Sequence, residues 1–431
     1  MPVTRLTRLL PLVACFAAAS ARGAAPEHNW PTFRGPHRTA VSTETGLLTA
    51  WPEEGPKLLR SIPGSGRGYS SLAVVDGRIY TLGDGLSIAP DRDEYLVCFD
   101  QETGQPLWMT KTGPAWNEGN PGWQSSRSTP TVAEDNVYVI TPQGVLHCCA
   151  VADGKEQWKK DLQREFRGTK ADGWGYSESP LVDGDRVIVT PGAPTNTMVA
   201  LNRGTGEVVW TASREGDRGA GHSSIVISEV GGVRVYVQTT GSGALGVRAD
   251  DGELMWSYEI DSTTAVIPTP IVRDDLVFFT AGYGRGGALL RQIASGGSVT
   301  IDEIYGLQQR LANKHGGVVL VGDHLYGDSD DKGRPFCADL LTGEIAWNER
   351  GPGSGSAAIA AADGHLYIRW ADGLVALVKA NPQAYEVVST FTPPGSGDRP
   401  SWAHPVISNG RLFLREHNAI LIYDISADAA R

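Results

Sequence analysis

The residues best suited to contact a ligand stand just before a set of short apolar segments that recur along the chain. Their side chains are aromatic rings, imidazoles, a guanidinium and a carboxyl group. The candidates are Tyr69, Arg127, Trp174, Tyr176, Glu178, His222, His315, Trp402 and His404. The rings offer stacking surfaces and the polar groups offer directional hydrogen bonds, so together they suit a small polar ligand. None of them is assigned a catalytic role.

Motifs for metal or covalent chemistry are weak. The nine histidines include no His-x-x-x-His pair, and neither Gly-x-Ser-x-Gly nor Cys-x-x-Cys-His occurs. Zinc-enzyme, serine-hydrolase and c-type haem interpretations therefore find no support. Residues 328–331 are rich in carboxylates, but they lack the ligand spacing of an EF-hand and precede Lys332. We expect a solvated turn there rather than a calcium site.

Four cysteines follow the N-terminal leader, at positions 98, 148, 149 and 337. Cys98, Cys148 and Cys337 each precede a turn glycine by six residues, so they occupy one repeated position that favours a small buried side chain. Cys148 and Cys149 are adjacent, which would permit a vicinal disulfide. Because adjacent residues of a strand point to opposite faces, we expect two unpaired thiols instead.

A repeated hairpin must position the candidate residues. It consists of a strand, a Thr-Gly or Asp-Gly turn, and a second strand that carries Trp four residues after the Gly. The five clear copies contain the pairs Gly104 and Trp108, Gly154 and Trp158, Gly206 and Trp210, Gly252 and Trp256, and Gly343 and Trp347. Gly permits the positive φ of such turns, and Trp suits contacts between neighbouring units. A weaker copy at 290–300 has Thr300 in place of Trp.

A second repeated element, a short apolar strand, an Asp-Gly-like turn and another strand, occurs eight times. Four antiparallel strands repeated eight times predict an all-β fold, an eight-bladed β-propeller of four-stranded antiparallel blades. The last blade lacks its fourth strand, and residues 56–62 are predicted to supply it and close the ring. Blade seven (357–391) lacks both the turn Gly and the Trp.

Loop lengths divide the two faces of the predicted ring. The turns between the first and second strands, and between the third and fourth, are short and share one face. Longer inserts at 87–94, 113–127, 163–174 and 304–314 all belong to the other face, here called the insert face. Function is expected on the insert face, since variable loops on a rigid scaffold carry most binding sites. The segment 306–311 is the only stretch with a helical pattern.

Alignment of the first strand of each blade places the candidate residues at the mouth of the central channel. Tyr69 and Tyr176 fall at one position, which Ser128, His315, Ser356 and Trp402 share in other blades. His404 and Glu178 lie one or two residues further inward, His222 lies near by, and Arg127 and Trp174 flank the set. The alternative is a polar channel that binds only ordered water.

Composition and the N-terminus bound the functional class. The chain has 431 residues and a formal net charge of −11, without a cluster of Lys and Arg, so a nucleic-acid partner is not expected. Residues 1–21 resemble a secretory signal, and the apolar run is too short to span a membrane. A lipobox-like segment makes lipidation of Cys15 the alternative. The predicted organisation is a signal (1–21), an extended arm (22–54), the propeller (55–426) and a tail (427–431), expected to be monomeric.

The unit 200–210 (ALNRGTGEVVW) resembles the pyrroloquinoline-quinone (PQQ) repeat. Together with its start at 30–36 (WPTFRGP), the chain is similar to exported bacterial PQQ-binding-like β-propeller proteins. The resemblance implies a location in the periplasm or at the cell surface. One related group, the propeller lipoprotein of outer-membrane assembly, implies a non-catalytic scaffold that binds a protein or a small ligand through the insert face, without a cofactor.

The other related group, the quinoprotein dehydrogenases, implies the alternative function, a PQQ- and calcium-dependent oxidation of an alcohol or sugar. Members of that group hold PQQ over Ca²⁺ in the channel, with an Asp base, and often stack the quinone on a vicinal disulfide. Here the only adjacent cysteines occupy a strand position, and no Asp stands among the aligned channel residues. The non-catalytic scaffold is therefore the preferred prediction.

Overall fold

A computed structural model describes residues 28–85, 93–261, 264–397 and 399–427. The predicted signal, Cys15, the first residues of the arm and most of the 87–94 insert lie outside these ranges. The described residues form eight four-stranded antiparallel sheets, which confirms the eight-bladed propeller. No helix within the described ranges is long and apolar enough to cross a bilayer.

The strands of the first four blades follow one another in chain order, and the first strand of each blade lies at the axis. Strand β1 (Lys57–Pro63) precedes them. Blade 1 contains β2 (Ala73–Val75), β3 (Arg78–Asp84), β4 (Asp93–Asp100) and β5 (Pro106–Pro114). Blade 2 contains β6 (Thr131–Ala133), β7 (Asn136–Ile140), β8 (Val145–Ala150) and β9 (Glu156–Asp161). Blade 3 contains β10 (Leu181–Asp183), β11 (Arg186–Val189), β12 (Met198–Asn202) and β13 (Val208–Ala212). Blade 4 contains β14 (Val226–Val230), β15 (Val233–Thr240), β16 (Gly243–Arg248) and β17 (Leu254–Glu259).

The remaining blades repeat this order. Blade 5 contains β18 (Ile271–Arg273), β19 (Leu276–Ala281), β20 (Gly286–Ser295) and β21 (Ser298–Gln308). Blade 6 contains β22 (Val319–Val321), β23 (His324–Asp328), β24 (Pro335–Asp339) and β25 (Ile345–Asn348). Blade 7 contains β26 (Ala357–Ala362), β27 (His365–Trp370), β28 (Val375–Lys379) and β29 (Val387–Phe391). Blade 8 contains β30 (Val406–Ser408), β31 (Arg411–Glu416) and β32 (Ala419–Asp424).

The N-terminal strand closes the ring, as predicted. Strand β1 pairs antiparallel with β32, and a bulge between Leu58 and Arg60 matches the bulge found in the other outer hairpins. After this bulge Arg60 pairs with Ile422, as Trp210 pairs with Ala200 in blade 3. The closing strand therefore carries an arginine where most blades carry tryptophan.

In five blades the repeated Trp joins the blade to the next one. Trp210 Nε1 donates to the carbonyl oxygen of Ala249 at 2.9 Å, and the Trp210 ring packs on Gly252, whose φ is +79°. Equivalent bonds to a backbone carbonyl are made by Trp108, Trp158 and Trp347 at 2.9, 3.0 and 2.9 Å. A Cβ on Gly252 would lie 2.5 Å from Trp210 Cε3, so only glycine permits this contact.

Blade 5 differs from the repeat predicted for it. Its outer hairpin is longer, and Tyr305, not Thr300, follows the bulge and pairs with Leu289. Tyr305 Oη donates to the carbonyl oxygen of Leu340 at 3.0 Å and so replaces the Trp N–H. Because β20 continues past the usual turn, Trp256 Nε1 reaches the side-chain oxygen of Gln292 at 3.2 Å instead of a backbone carbonyl.

The helical prediction was wrong in its limits. Residues 304–308 continue β21, and only Gln309–Leu311 form a 3-10 turn. A second 3-10 turn spans Pro121–Trp123, and a short helix that the sequence reading missed, α1 (Leu162–Phe166), follows β9. Asp161 caps this helix by accepting the N–H of Arg164 at 2.9 Å.

The arm crosses the axial channel and contacts inner strands around the ring. Trp30 bridges to Val74 in blade 1, and Arg34 Nη2 donates to the carbonyl oxygen of Val318 in blade 6 at 2.6 Å. Arg38 Nη1 donates to the carbonyl oxygens of Ser179 and Ile225, at 3.0 Å each, in blades 3 and 4. The arm thus blocks the channel below its mouth, whereas the sequence predicted only an extended segment.

The arm also supplies the aromatic residue missing from blade 7. Ser389 occupies the Trp position, and its Oγ accepts the backbone N–H of Trp51 at 2.9 Å. The Trp51 ring meets Phe391 edge-on with centroids 5.3 Å apart. Trp51, Tyr367, Phe391 and Tyr423 belong to one buried cluster between blades 7 and 8.

Candidate functional site

One residue from each blade points into a cavity at the insert-face end of the channel. In seven blades it lies four residues before the inner strand, and Ser356 directly precedes β26. The eight residues form the mouth ring: Tyr69, Arg127, Ser177, His222, Ile267, His315, Ser356 and Trp402.

Hydrogen bonds between adjacent blades fix this alignment. Two residues after the mouth ring, a hydroxyl of one blade accepts the backbone N–H of the preceding blade. Ser71 N donates to Thr129 Oγ1 at 3.1 Å, and Thr129 N donates to Ser179 Oγ at 3.0 Å. Ser179 N continues the pattern to Ser224 Oγ at 3.0 Å. The inner strands are thereby held in one register around half of the ring.

Seven of the nine predicted residues line the cavity: Tyr69, Arg127, Trp174, His222, His315, Trp402 and His404. Tyr176 and Glu178 do not, which corrects their predicted placement. The predicted alignment was shifted by one residue in blades 2 and 3, and a one-residue shift turns a side chain to the other face of a strand. Ser177 and Arg127, rather than Tyr176 and Ser128, are the equivalents of Tyr69.

Tyr176 and Glu178 have structural surroundings. The Tyr176 ring is buried beside Leu162 and Cys148, and its Oη donates to the carbonyl oxygen of Pro191 at 2.9 Å. Glu178 Oε2 accepts the backbone N–H of Thr190 at 2.8 Å. Burial raises the pKa of Glu178 to about 8.

Aromatic side chains wall the cavity, which encloses about 360 Å³. The rings of Trp402 and His315 stack with centroids 4.6 Å apart, and Tyr69 meets Trp402 at 4.9 Å. Trp174 meets Trp123 edge-on at 5.9 Å. This volume and lining suit a small ligand with a flat or apolar portion.

Phe33 of the arm and His404 form the cavity floor. Their rings meet edge-on with centroids 4.8 Å apart. Burial, together with the charge of Arg34, lowers the pKa of His404 to about 3, so its imidazole is neutral at physiological pH. Because Phe33 and His404 close its base, the cavity has the form of a cup and is called the cup below.

Arg127 places a positive charge in the wall of the cup. Its Nη1 donates to the carbonyl oxygen of Trp174 at 2.5 Å, and its Nη2 donates to that of Trp123. Among the described residues it forms no ion pair. Burial lowers the pKa of Arg127 to about 10, which leaves the guanidinium charged.

Ser177, His222 and Asp172 are joined in a row at the edge of the cup. Ser177 Oγ lies 2.7 Å from His222 Nδ1, and His222 Nε2 lies 2.9 and 3.1 Å from the two carboxylate oxygens of Asp172. Burial acts to raise the pKa of Asp172, but the hydrogen bond to His222 and backbone N–H bonds outweigh it, so the pKa is lowered. Asp172 is therefore a carboxylate.

A second serine and histidine meet on the opposite side of the mouth ring. Ser356 Oγ lies 2.8 Å from His315 Nδ1 and also donates to Asp331, which pairs with Lys314. Burial opposes ionisation of Asp331, but its bonds to His315, Lys314 and Ser356 hold its pKa well below the ordinary value. Asp328 is fully buried, whereas residues 330–331 lie in a turn in which Asp331 is exposed, so the predicted solvated turn is correct for only part of 328–331.

The residues that the structure describes show neither a cluster of metal ligands nor a vicinal disulfide. No group of three or more His, Cys, Asp or Glu that could hold a metal ion occurs in the described part of the chain. Cys148 and Cys149 are buried in β8, the third strand of blade 2, and pack in two different core clusters; neither lines the cavity. This arrangement agrees with the prediction that the two thiols point to opposite faces.

Asp172 and Ser177 were missed by sequence reasoning. Asp172 lies in a loop insert and His222 lies 50 residues further on, so no local motif joins them. A Ser-His-Asp arrangement is recognised by geometry and not by sequence order. Aligning the inner strands by the Ser and Thr residues that hydrogen-bond between adjacent blades (Ser71, Thr129, Ser179 and Ser224) would have placed Ser177 beside His222.

Comparison with known proteins identifies a family. The sequence profile of the family described as outer membrane protein assembly factor BamB matches residues 92–349, more than half of the chain. The outer membrane protein assembly factor BamB of Shewanella oneidensis is 24% identical over 242 residues. That match covers 52% of this chain and only 57% of the relative's length.

Solved structures share the fold. BamB of Moraxella catarrhalis superposes with a TM-score of 0.57 at 15% identity, covering 85% of this chain and 97% of that one. A europium-containing methanol dehydrogenase gives a TM-score of 0.64 at 13% identity, covering 90% and 89%. A quinohemoprotein alcohol dehydrogenase of Pseudomonas putida gives 0.60 at 12% identity, covering 93% and 80%. At these identities the likeness extends to the propeller and no further.

Proposed function

Because the chain belongs to the family described as outer membrane protein assembly factor BamB, we propose that it is an exported envelope protein whose insert face binds a protein partner in outer membrane assembly. The proposed role is to hold that partner in place, without a redox cofactor. The process is the one named in the family description, and the binding face follows from this chain's own residues.

The shape of the insert face supports this proposal more than any other observation. The arm closes the channel from below, and the open end is bordered by the side chains of Trp123 and Tyr283, which are 40% and 48% exposed. Exposed Trp and Tyr beside a concave surface are typical of protein-binding hot spots. The opposite face consists of short turns. A second recess of about 550 Å³, between the arm and the inner strands, is lined by no Trp, Tyr or Phe side chain of the described residues.

Site-specific photo-crosslinking tests the binding face. A photoreactive phenylalanine replaces Trp123 or Tyr283 in the full chain, and irradiation is carried out on intact cells of the source bacterium. We expect both positions to crosslink to the same protein, identified by mass spectrometry as a component of outer membrane protein assembly.

Matched controls are available on the rim of the ring. Met109 and Val208 lie on the outer strands β5 and β13 and are 50% and 49% exposed, so they resemble the test positions in accessibility. They are expected to give no such crosslink. Equal yields of the same product from all four positions, or no product at Trp123 and Tyr283, would refute the proposed face.

The alternative function, quinoprotein dehydrogenase, is tested by titration of PQQ and Ca²⁺ into the purified protein with a dye-linked alcohol or sugar assay. We expect no bound-quinone absorbance and no dye reduction, because the cup contains no three-carboxylate or mixed ligand set among the described residues. Saturable quinone binding with turnover would overturn the cofactor-free proposal.

A further inference from the structure

The row formed by Ser177, His222 and Asp172 has no part in the proposed partner binding. Its hydrogen bonds determine where the protons of the three side chains lie. Ionised Asp172 can only accept hydrogen bonds, so the proton shared with it belongs to His222 Nε2. In the neutral form of this ring, His222 Nδ1 is the unprotonated nitrogen and accepts the hydroxyl hydrogen of Ser177 across 2.7 Å. This is the proton arrangement of a serine nucleophile with its base.

The row is held from several sides. Asp172 Oδ1 accepts the backbone N–H of Trp174 at 3.1 Å, and Asp172 Oδ2 accepts that of Ala265 at 3.3 Å. His222 N donates to the carbonyl oxygen of Val266 at 2.8 Å, so one loop fixes both partners. Ala265 has a φ of +48°, an unfavourable conformation for alanine that persists only where the surroundings enforce it.

From this geometry we propose that Ser177, His222 and Asp172 act as a serine-hydrolase triad on small carboxylic esters that enter the cup. This activity goes beyond the partner-binding function and departs from the expectation of a non-catalytic scaffold. Ser177 lines the cavity together with Arg127, its neighbour in the mouth ring. The ester carbonyl oxygen gains negative charge during the reaction, and the guanidinium of Arg127 stabilises that charge.

The reaction needs no group that the protein lacks. Ser177 Oγ bonds to the ester carbonyl carbon, its proton moves to His222 Nδ1, and the carbonyl electron pair moves to oxygen. The carbon–oxygen bond to the alcohol then breaks, and His222 returns the proton to the leaving alkoxide. Water attacks the acyl-serine in the same way, its proton passes through His222 to Ser177 Oγ, and a carboxylic acid leaves.

The cup indicates the class of ester. Its volume of about 360 Å³ admits a small molecule and excludes a folded protein. Trp174 lies against His222 with ring centroids 6.1 Å apart, so the acyl group next to Ser177 meets an aromatic surface. A short or flat apolar acyl chain fits these walls.

Ser356 serves as an internal control because its surroundings resemble those of Ser177 but its protons are arranged differently. Its hydroxyl hydrogen is donated to Asp331, so its oxygen must accept from His315 Nδ1, which therefore carries a proton. A protonated Nδ1 cannot take a proton from Ser356. The same chemistry that activates Ser177 leaves Ser356 unreactive.

A fluorophosphonate probe tests the triad on the purified full chain, because such a probe bonds covalently to an activated serine Oγ with loss of fluoride. Peptide mass spectrometry is expected to find the adduct on Ser177 and not on Ser356. Hydrolysis of p-nitrophenyl esters of short acids is measured in parallel. Ser177→Ala, His222→Gln and Asp172→Asn should each lower kcat/KM about 100-fold or more.

Ser213→Ala, at an exposed serine outside the cup, is the control variant and should keep both the labelling rate and kcat/KM within about twofold, because it removes no general-base assistance. Near-ultraviolet circular dichroism and the melting temperature of Ser177→Ala should match those of the wild type, which shows that any loss is chemical. The proposal is overturned if Ser177 is not labelled, if Ser356 is labelled equally, or if Ser177→Ala retains hydrolysis. Crosslinking from position 123 in Ser177→Ala reports separately on partner binding.

Discussion

At the residue scale, Glu94 shows how burial controls an ionisable group in this ring. It lies in β4 with no exposed surface, and its two carboxyl oxygens face the hydroxyls of Thr112 at 3.1 Å and Ser126 at 2.6 Å. Burial raises the pKa of Glu94 from the ordinary 4.5 to about 8. The protonated acid is therefore the form that the folded state prefers at neutral pH.

This shift predicts a pH-dependent stability that Glu94→Gln removes. Between pH 4.5 and about 8 the folded chain retains a proton that the unfolded chain releases. The contribution of Glu94 to the free energy of unfolding is thus complete below pH 4.5 and is lost as pH rises through about 8. The stability of Glu94→Gln relative to wild type should therefore rise from pH 5 to pH 8, by up to about 1.4 kcal/mol per pH unit.

Urea unfolding at the two pH values checks this prediction. Other buried acids, such as Glu178 and Asp328, titrate in both proteins and cancel in the difference. Glu207→Gln, at an exposed turn position, is the control and should show a difference that is nearly constant with pH. A constant difference for Glu94→Gln as well would mean that Glu94 is ionised in the fold.

Residue types at the mouth could be predicted from the sequence better than their orientation. Aromatic, imidazole and guanidinium groups were expected there, and Tyr69, His315 and Trp402 do line the cup. Tyr176 was misplaced because the positions before the inner strands have no hydrophobic alternation to fix the register. Hydroxyl-to-backbone bonds such as Thr129 N to Ser179 Oγ fix it instead, and these depend on neighbouring blades.

At the element scale, the repeated Trp and Gly form one contact between blades. The Trp210 ring lies over Gly252. Gly77, in another turn, has nearly the same φ of +72°, but a Cβ added to it would have no other atom within 4 Å. The two glycines therefore differ in packing and not in backbone conformation. They allow the cost of the contact to be separated from the cost of a positive φ.

We expect Gly77→Ala to lower the free energy of unfolding by about 1–2 kcal/mol, the cost of the left-handed conformation. Gly252→Ala should cost a further 1–3 kcal/mol, roughly, because its Cβ would overlap the Trp210 ring. Trp210→Ala should cost about 3–5 kcal/mol through the cavity it leaves.

The double variant distinguishes direct contact from other effects. With Trp210 replaced by Ala, Gly252→Ala should cost no more than Gly77→Ala, since the ring it would strike is gone. Denaturant unfolding of the wild type, the three single variants and the double variant measures this coupling. Additive costs would contradict the assigned contact between blades.

The repeat was predictable because Trp and Gly recur at fixed spacing, but the substitutes for Trp were not. Tyr305 occupies the Trp position because the outer hairpin of blade 5 is longer, and Arg60 occupies it because β1 pairs with β32 from the other end of the chain. Trp51 fills the gap in blade 7 from a distant part of the chain. Each of these depends on contacts that are far apart in sequence.

At the scale of the whole molecule, two N-terminal segments convert an open ring into a closed cup. Closure by β1 could be predicted, since a blade with three strands leaves an open edge. The arm's place in the channel could not, because Arg34 and Arg38 bond to backbone carbonyls, which every sequence presents. Only the assembled ring brings these carbonyls together.

Closure by β1 is tested at Ile62, which pairs with Ile420 of β32 and is 1% exposed in a cluster with Trp30 and Val74. Ile62→Ala should lower the free energy of unfolding by about 2–5 kcal/mol, as for a large side chain removed from a packed core. Leu58→Ala, in the same strand but 41% exposed, should change it by less than about 1 kcal/mol.

Hydrogen exchange locates the effect. If β1 holds the ring closed, Ile62→Ala should speed amide exchange in β32, whose outer hydrogen bonds are made only to β1, more than in β24 or β12, the equivalent third strands of blades that are continuous in sequence. The blades meet in a circle, so loosening this one seam should also expose the edge of β32 to other chains and promote association at high concentration. Exchange that rises equally in β32, β24 and β12, with no change in association, would show that the ring stays closed without this contact.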